Sequence, residues 1–156
     1  MKNIVIGCDN TAVQLKKVII KILQDKGIKY EDVGVDCETD DTIYPLIAER
    51  VCKKIMDSGY EKDGILICGT GIGMAISANK FKGIYAAVCH DIYSSERARL
   101  SNNTNVMTMG ARVIGLELAK KIVEEWIRLE FVSGSSSPKV QKIKDFETNN
   151  FRNTAL

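Results

Sequence analysis

No apolar run in these 156 residues reaches the roughly 18 that a membrane-spanning helix needs, so the sequence predicts no membrane partner. Met1-Lys2-Asn3 leads into a strand-like run rather than a signal peptide, and the expectation is a cytoplasmic protein. Neither sign of charge is in excess. The 22 Lys and Arg residues against 20 Asp and Glu give a net charge of +2, which provides no reason to expect a nucleic-acid partner. Five cysteines, at 8, 37, 52, 68 and 89, form no C-x-x-C pair and leave an odd one over, which speaks against a disulfide framework and for reduced thiols. No Gly-Lys-Ser or Gly-Lys-Thr occurs, so there is no Walker phosphate loop. No repeat of solenoid period is visible, and the single histidine, His90, reads as a surface or rim residue rather than a catalyst.

What is there is ordinary for a soluble globular chain: 45% hydrophobic and 27% charged residues. The length suits one domain over residues 1–150 with a polar tail at 151–156. Folding at this size buries roughly 68–70% of the unfolded surface, enough for a core without staples.

Asn3 to Gly7 is a short β-branched run that delivers Cys8 and Asp9 at its C-terminal end, the first predicted strand. Thr11 with Gln14 reads as a capping box, and Leu15, Val18, Ile19, Ile22 and Leu23 share one helical face that closes at Gly27. A weaker, partly exposed strand lies within 28–35. Pro45 suits the first turn of a helix whose apolar face is Ile47, Ala48, Val51, Cys52, Ile55 and Met56. Residues 64–68 predict a third strand, followed by glycines 69, 71 and 73 and a helix of small residues ending near Asn79 or Lys80. Strands follow at 84–88 and 106–109, with a charged helix at 93–100 between them. The strongest helix, 115–131, carries Leu118, Ala119, Ile122, Val123, Trp126 and Ile127 on one stripe. Residues 133–137 read as a linker. A last polar helix, from Lys139 to about Asn149, has a thin stripe of Val140, Ile143 and Phe146 that suits docking on another subunit.

Strand and helix alternate throughout, the pattern of an α/β fold with a parallel sheet covered on both faces. Such sheets bind ligands beyond their strand C-termini. Here those ends present Cys8 and Asp9, Cys68 to Gly73, Cys89 to Asp91, and Gly110 to Arg112.

Within this set, Cys68-Gly69-Thr70-Gly71-Ile72-Gly73 stands out. The glycines let backbone N–H groups approach an anion, and Cys68 sits beside that cradle just before a helix, where the dipole favours a thiolate. A small buried hydrophobe is the competing reading of Cys68. The third glycine arrives one residue early for the G-x-G-x-x-G dinucleotide fingerprint and follows the third strand, although Asp91 stands where a ribose-binding acid would. Cys8, Cys68, Cys89, Asp9 and His90 share one sheet edge, but their spacings match no metal-ligand pattern and no metal is expected. Arg112 suits either an anion clamp or a structural ion pair.

Taken with Gly7-Cys8-Asp9, Tyr44-Pro45, Ala78-Asn79-Lys80, Asn102-Asn103-Thr104-Asn105-Val106 and Gly110-Ala111-Arg112, this loop resembles the ribose-5-phosphate isomerase B family, including the LacAB galactose-6-phosphate isomerases. The resemblance runs from residue 1 to about 150. It implies a three-layer Rossmann-like fold with a five-stranded parallel sheet, and a C-terminal helix packing on a partner subunit. It further implies a cofactor-free and metal-free aldose–ketose isomerase of carbohydrate metabolism, at the level of the pentose phosphate pathway. The assembly would be a homodimer or homotetramer, with a related second subunit as a variant.

By position, the resemblance makes Cys68 the base that removes the C2 proton and Gly69, Gly71, Ile72 and Gly73 the amide cradle for the enediolate. Thr70 and Asp9 would orient sugar hydroxyls, Tyr44 and Asn102 would contact substrate, and Arg112 would hold phosphate. Four positions depart from the family pattern. Asn10 and Ser101 stand where the family carries histidines, the latter thought to open the sugar ring, and Ser135 and Lys139 stand where it carries phosphate-gripping arginines. A hydroxyl supplies no charge and a lysine only a point charge in place of a bidentate guanidinium.

Overall fold

The computed structural model describes residues 1–151. Five strands, β1 (Asn3–Cys8), β2 (Tyr30–Asp32), β3 (Lys62–Cys68), β4 (Ala86–Val88) and β5 (Val106–Gly110), form one sheet in the order β2-β1-β3-β5-β4. Every pairing is parallel. The helices are α1 (Val13–Asp25), α2 (Tyr44–Asp57), α3 (Ile72–Ala78), α4 (Ile92–Leu100), α5 (Leu116–Arg128) and α6 (Ser137–Asn150). α5 packs against both α1 and α4 on one face of the sheet, and α2 and α3 pack together on the other. This is a Rossmann-like α/β fold.

Both faces are covered, so the central strands are apolar without alternation: Ile4 to Cys8 and Gly64 to Cys68 are buried throughout. α2 lies unusually close to the sheet. A Cβ on Gly7 would stand 2.8 Å from Ile47 Cγ2, and one on Gly64 2.9 Å from Ile55 Cδ1, so both positions need the missing side chain. Pro45 opens α2, and Ile47, Ala48, Val51, Cys52 and Ile55 bury its face. In α5, Ala119, Ile122, Val123, Trp126 and Ile127 are buried, while Leu118, expected on that stripe, is exposed. It falls at the margin of the helix face, beyond the reach of the sheet.

Local corrections concern caps and buried charge. Thr11 and Gln14 do not form a capping box. Asp9 caps a single 3-10 turn, Asn10–Ala12, by accepting from the Thr11 N–H at 3.0 Å, and α1 begins after that turn. Lys16 is buried on the apolar side of α1, where its ammonium reaches Asp32 at 2.6 Å, the Val35 carbonyl at 2.8 Å and Asp36 at 3.2 Å. Arg99 is buried against the Trp126 ring and donates to Asp63, Thr104 O and Leu129 O. These contacts pin the N-terminal end of β3 to α4 and α5.

α6 docks by one carboxylate. Glu147 accepts from Gly83 N at 2.8 Å and from the Tyr85 hydroxyl at 2.9 Å, just ahead of β4. Of its expected stripe only Val140 is buried, and Ile143 and Phe146 are exposed. Among the described residues no helix is long and apolar enough to cross a membrane. The tail expected at 151–156 lies, beyond Phe151, outside the described residues.

Candidate active site

Because all strands run the same way, Cys8, Cys68 and Gly110 finish at one edge of the sheet: Cys8 pairs with Ile67, and Cys68 with Gly110. A cleft of about 480 Å³ opens there, lined by Asp9, Thr11, Tyr44, Cys68, Gly69, Thr70, Ile72, Gly73, Ile76 and Arg112. Thr11 and Ile76 are additions to the residues expected from sequence. In sequence, Thr11 reads as part of a capping motif and Ile76 as a member of a helix of small residues.

The loop after β3 is held by close backbone packing. Gly71 has φ +76°, and a Cβ on it would stand 2.7–2.9 Å from backbone atoms of Met109. Only glycine fits that turn and that approach together. A Cβ on Gly110 would likewise meet the Thr70 backbone at 2.7 Å, so the loop and the end of β5 lie in direct contact. Thr108 Oγ1 donates to Gly71 O at 2.9 Å from inside the sheet. On the outer side the Tyr44 ring covers Gly73, reaching within 2.5 Å of where a Cβ would sit.

This scaffold turns the Gly71 N–H onto Cys68 Sγ at 3.1 Å, a bond that a thiolate accepts better than a thiol. Asp9 is beside it across the sheet, its N–H on Ile67 O at 3.2 Å and its Oδ1 accepting from the Thr11 hydroxyl at 2.6 Å. Thr70 Oγ1 accepts from Ile72 N at 3.4 Å. Arg112 donates its N–H to Gly69 O at 3.0 Å, and its side chain runs past Gly69 along the cleft wall. One thiol, a carboxylate, two threonine hydroxyls, a phenol and one guanidinium therefore belong to residues that line a single space, beside the backbone of the 69–73 loop.

The other strand-end groups are turned away. Cys8 Sγ donates to Val35 O and Cys89 Sγ to Ala87 O. Burial pushes the Cys8, Cys52 and Cys89 thiols up to about 12, Lys16 drawing Cys8 only partly back. His90 Nε2 accepts from the Gly110 N–H at 2.9 Å and joins β4 to β5. Asp91 caps α4 through Ser94. Among the described residues no group of three or more His, Cys, Asp or Glu side chains converges as metal ligands.

Asn10 follows Asp9 but does not line the cleft, and Gly71 takes part through its buried backbone. Ser101 and Asn102 are not brought to Cys68 within this chain. They follow α4 and precede Asn105, whose carbonyl accepts from Gly64 N at the far end of the sheet, four strand residues or roughly 13 Å from Cys68. Ser101 Oγ instead accepts from Arg97 Nη1 at 3.3 Å. Ser135 and Lys139, around the start of α6, are likewise absent from the cleft.

The family model described as Ribose/Galactose Isomerase matches residues 4–143. A D-erythrulose-4-phosphate isomerase of Pectobacterium atrosepticum is 50% identical over 147 residues, covering 94% of this chain and 96% of the relative. A ribose-5-P isomerase B of Listeria innocua is 46% identical, covering 94% and 98%. Among solved structures, ribose-5-phosphate isomerase B of Mycoplasma genitalium with bound ribulose-5-phosphate superposes with a TM-score of 0.89 at 33% identity, covering 94% of this chain and 96% of the other.

Proposed function

The chain belongs to the ribose/galactose isomerase family and is a sugar-phosphate isomerase, and we propose that it interconverts an aldose phosphate and its 2-ketose through an enediolate, with Cys68 as the base. The observation that carries this reading is the Gly71 N–H on Cys68 Sγ at the wall of a cleft that Asp9, Thr11, Thr70 and Arg112 also line.

A C–H beside a carbonyl becomes usefully acidic when the charge developing on oxygen is met by preorganised donors. The Cys68 thiolate takes the C2 proton. The C–H electron pair forms the C1–C2 double bond, and the carbonyl pair moves to O1, where amides of the 69–73 loop receive it. The proton returns to C1 and the O2 hydroxyl proton passes to O1, giving the ketose with no net change in oxidation state and no added cofactor. Asp9, Thr11 and Thr70 orient the sugar hydroxyls, and Arg112 grips the phosphate as a planar donor.

Two features favour a working unit of more than one copy. Tyr44, Ile72 and Ile76 leave an exposed apolar rim around the cleft. Ser101, Asn102, Ser135 and Lys139 do not line this chain's own cleft and would act at that of a second chain, as a homodimer or homotetramer would allow. A catalytically weak sugar-phosphate-binding subunit of a hetero-oligomer is the second reading, favoured by the loss of arginine at 135 and 139.

Turnover in D2O tests the enediolate. Deuterium at C1 of the ketose formed from an unlabelled aldose supports proton transfer, whereas full retention of the substrate hydrogen would point to a hydride shift.

A further inference from the structure

Resting on the isomerase reading above, we propose that His90, the one histidine in the sequence, is a positioning residue for the reaction: its Nε2 holds the end of β5, and that end holds the loop carrying Cys68.

β4 stops at Val88, which pairs with Thr108, and Cys89 adds one more bond from its N–H to Thr108 O at 2.9 Å. β5 runs on to Gly110. The Gly110 N–H therefore lies beyond the last pairing of β4, and a side chain takes the place of the missing strand: His90 Nε2 accepts from it at 2.9 Å. Gly110 is buried, and a buried N–H left without an acceptor is costly. The imidazole is presented from a fixed backbone, since Cys89 is tied to Thr108 on one side and Asp91 caps α4 through Ser94 on the other. With Nε2 as acceptor, the ring proton of the neutral imidazole sits on Nδ1.

From Gly110 the support passes straight to the cleft. Ala111 donates its N–H to Cys68 O at 2.8 Å, and Arg112 donates its own to Gly69 O at 3.0 Å. Gly110 lies against the Thr70 backbone and Gly71 against that of Met109, both too closely for a Cβ. The Gly71 N–H in turn meets Cys68 Sγ at 3.1 Å. A shift at Gly110 thus displaces both the amides that receive the developing charge and the donor that favours a thiolate. The Arg112 side chain is long enough to follow a small shift, so the grip on phosphate suffers less than the chemistry. His90 does not line the cleft and acts only through this backbone.

The test compares the full chain as wild type, His90→Leu, His90→Gln and His90→Asn. Steady-state kinetics use whichever of D-ribose 5-phosphate, D-erythrulose 4-phosphate and D-galactose 6-phosphate the wild type turns over best, and iodoacetamide reports on Cys68 independently of turnover. Glutamine can place a carbonyl oxygen where Nε2 stands, asparagine stops short of it and leucine offers no acceptor. The leucine and asparagine variants are expected to lose kcat by roughly 10- to 100-fold, the scale of a small misplacement at reacting groups, with KM moving much less. Their Cys68 should alkylate more slowly than in the wild type, while exposed Cys37 keeps its rate. Glutamine should recover most of both losses. Wild-type kcat and Cys68 labelling in the leucine and asparagine variants overturn the proposal, and so does a glutamine variant as impaired as leucine, since the ring's volume rather than its acceptor would then matter. If the leucine variant does not fold, the contrast between glutamine and asparagine decides. A wild type that isomerises none of the three sugar phosphates overturns the isomerase reading, and Cys68 labelling still decides whether His90 positions the loop.

Discussion

The backbone N–H of Gly71 points at the sulfur of Cys68 from 3.1 Å, so the loop that would receive the enediolate also holds the base that would create it. Any change that moves this loop should alter chemistry and not just stability.

Gly71→Ala separates strain from function when compared with Gly27→Ala. Both glycines have positive φ, +76° and +65°, but a Cβ on Gly27 meets nothing within 4 Å while one on Gly71 strikes the Met109 backbone. Gly27→Ala should cost about 1 kcal/mol and leave kcat alone. Gly71→Ala should destabilise more than this and reduce kcat sharply. Urea unfolding and steady-state kinetics on both variants check the contrast.

Thiol reactivity should divide the cysteines. Burial pushes Cys8, Cys52 and Cys89 up to about 12, so they are protonated at pH 8, whereas Cys37 is exposed and Cys68 lines the cleft. Iodoacetamide followed by peptide mass mapping should label positions 37 and 68 in the folded protein. Labelling of the other three at a comparable rate would contradict their burial.

The fold, and all of the cleft lining but Thr11 and Ile76, were legible because the signals are local. Pro45 with its apolar face marked α2, and the glycines at 69, 71 and 73 marked the turn after β3. Lys16 was not legible as a buried charge, since its partners Asp32, Val35 and Asp36 lie 16 to 20 residues further on and meet it only through tertiary packing. Thr11 was missed because a hydroxyl two residues after Asp9 reads equally as a cap. Ser101 and Asn102 entered the expected site through motif likeness, although their position just before β5 puts them at the opposite end of a parallel sheet.

Lys16 supplies an alkaline limit. Burial pushes its ammonium down, but the bond to Asp32 and the nearby carboxylates outweigh this and hold it above 10.5. A raised lysine contributes stability that is complete below the unfolded value and lost as pH rises through the folded one. Wild type should therefore exceed Lys16→Met in Tm at pH 8, with the gap closing above about pH 10.5. A gap that persists unchanged at higher pH would mean the charge contributes nothing.

Asp63→Ala strands the Arg99 guanidinium in the core, since that pair is 2.7 Å apart and both side chains are buried. The loss should be about 3–5 kcal/mol in urea unfolding, with no direct effect at the cleft on the far edge of the sheet. A loss below about 1 kcal/mol would show that the pair is dispensable.

Cys68→Ala, assayed for interconversion of aldose and ketose phosphates beside the wild type, bears most directly on the central claim. Removing the base should lower kcat by roughly 100-fold or more while the variant keeps its fold and its sugar-phosphate affinity. Unchanged turnover on the best substrate would show that Cys68 is not the base and that the chemistry lies elsewhere.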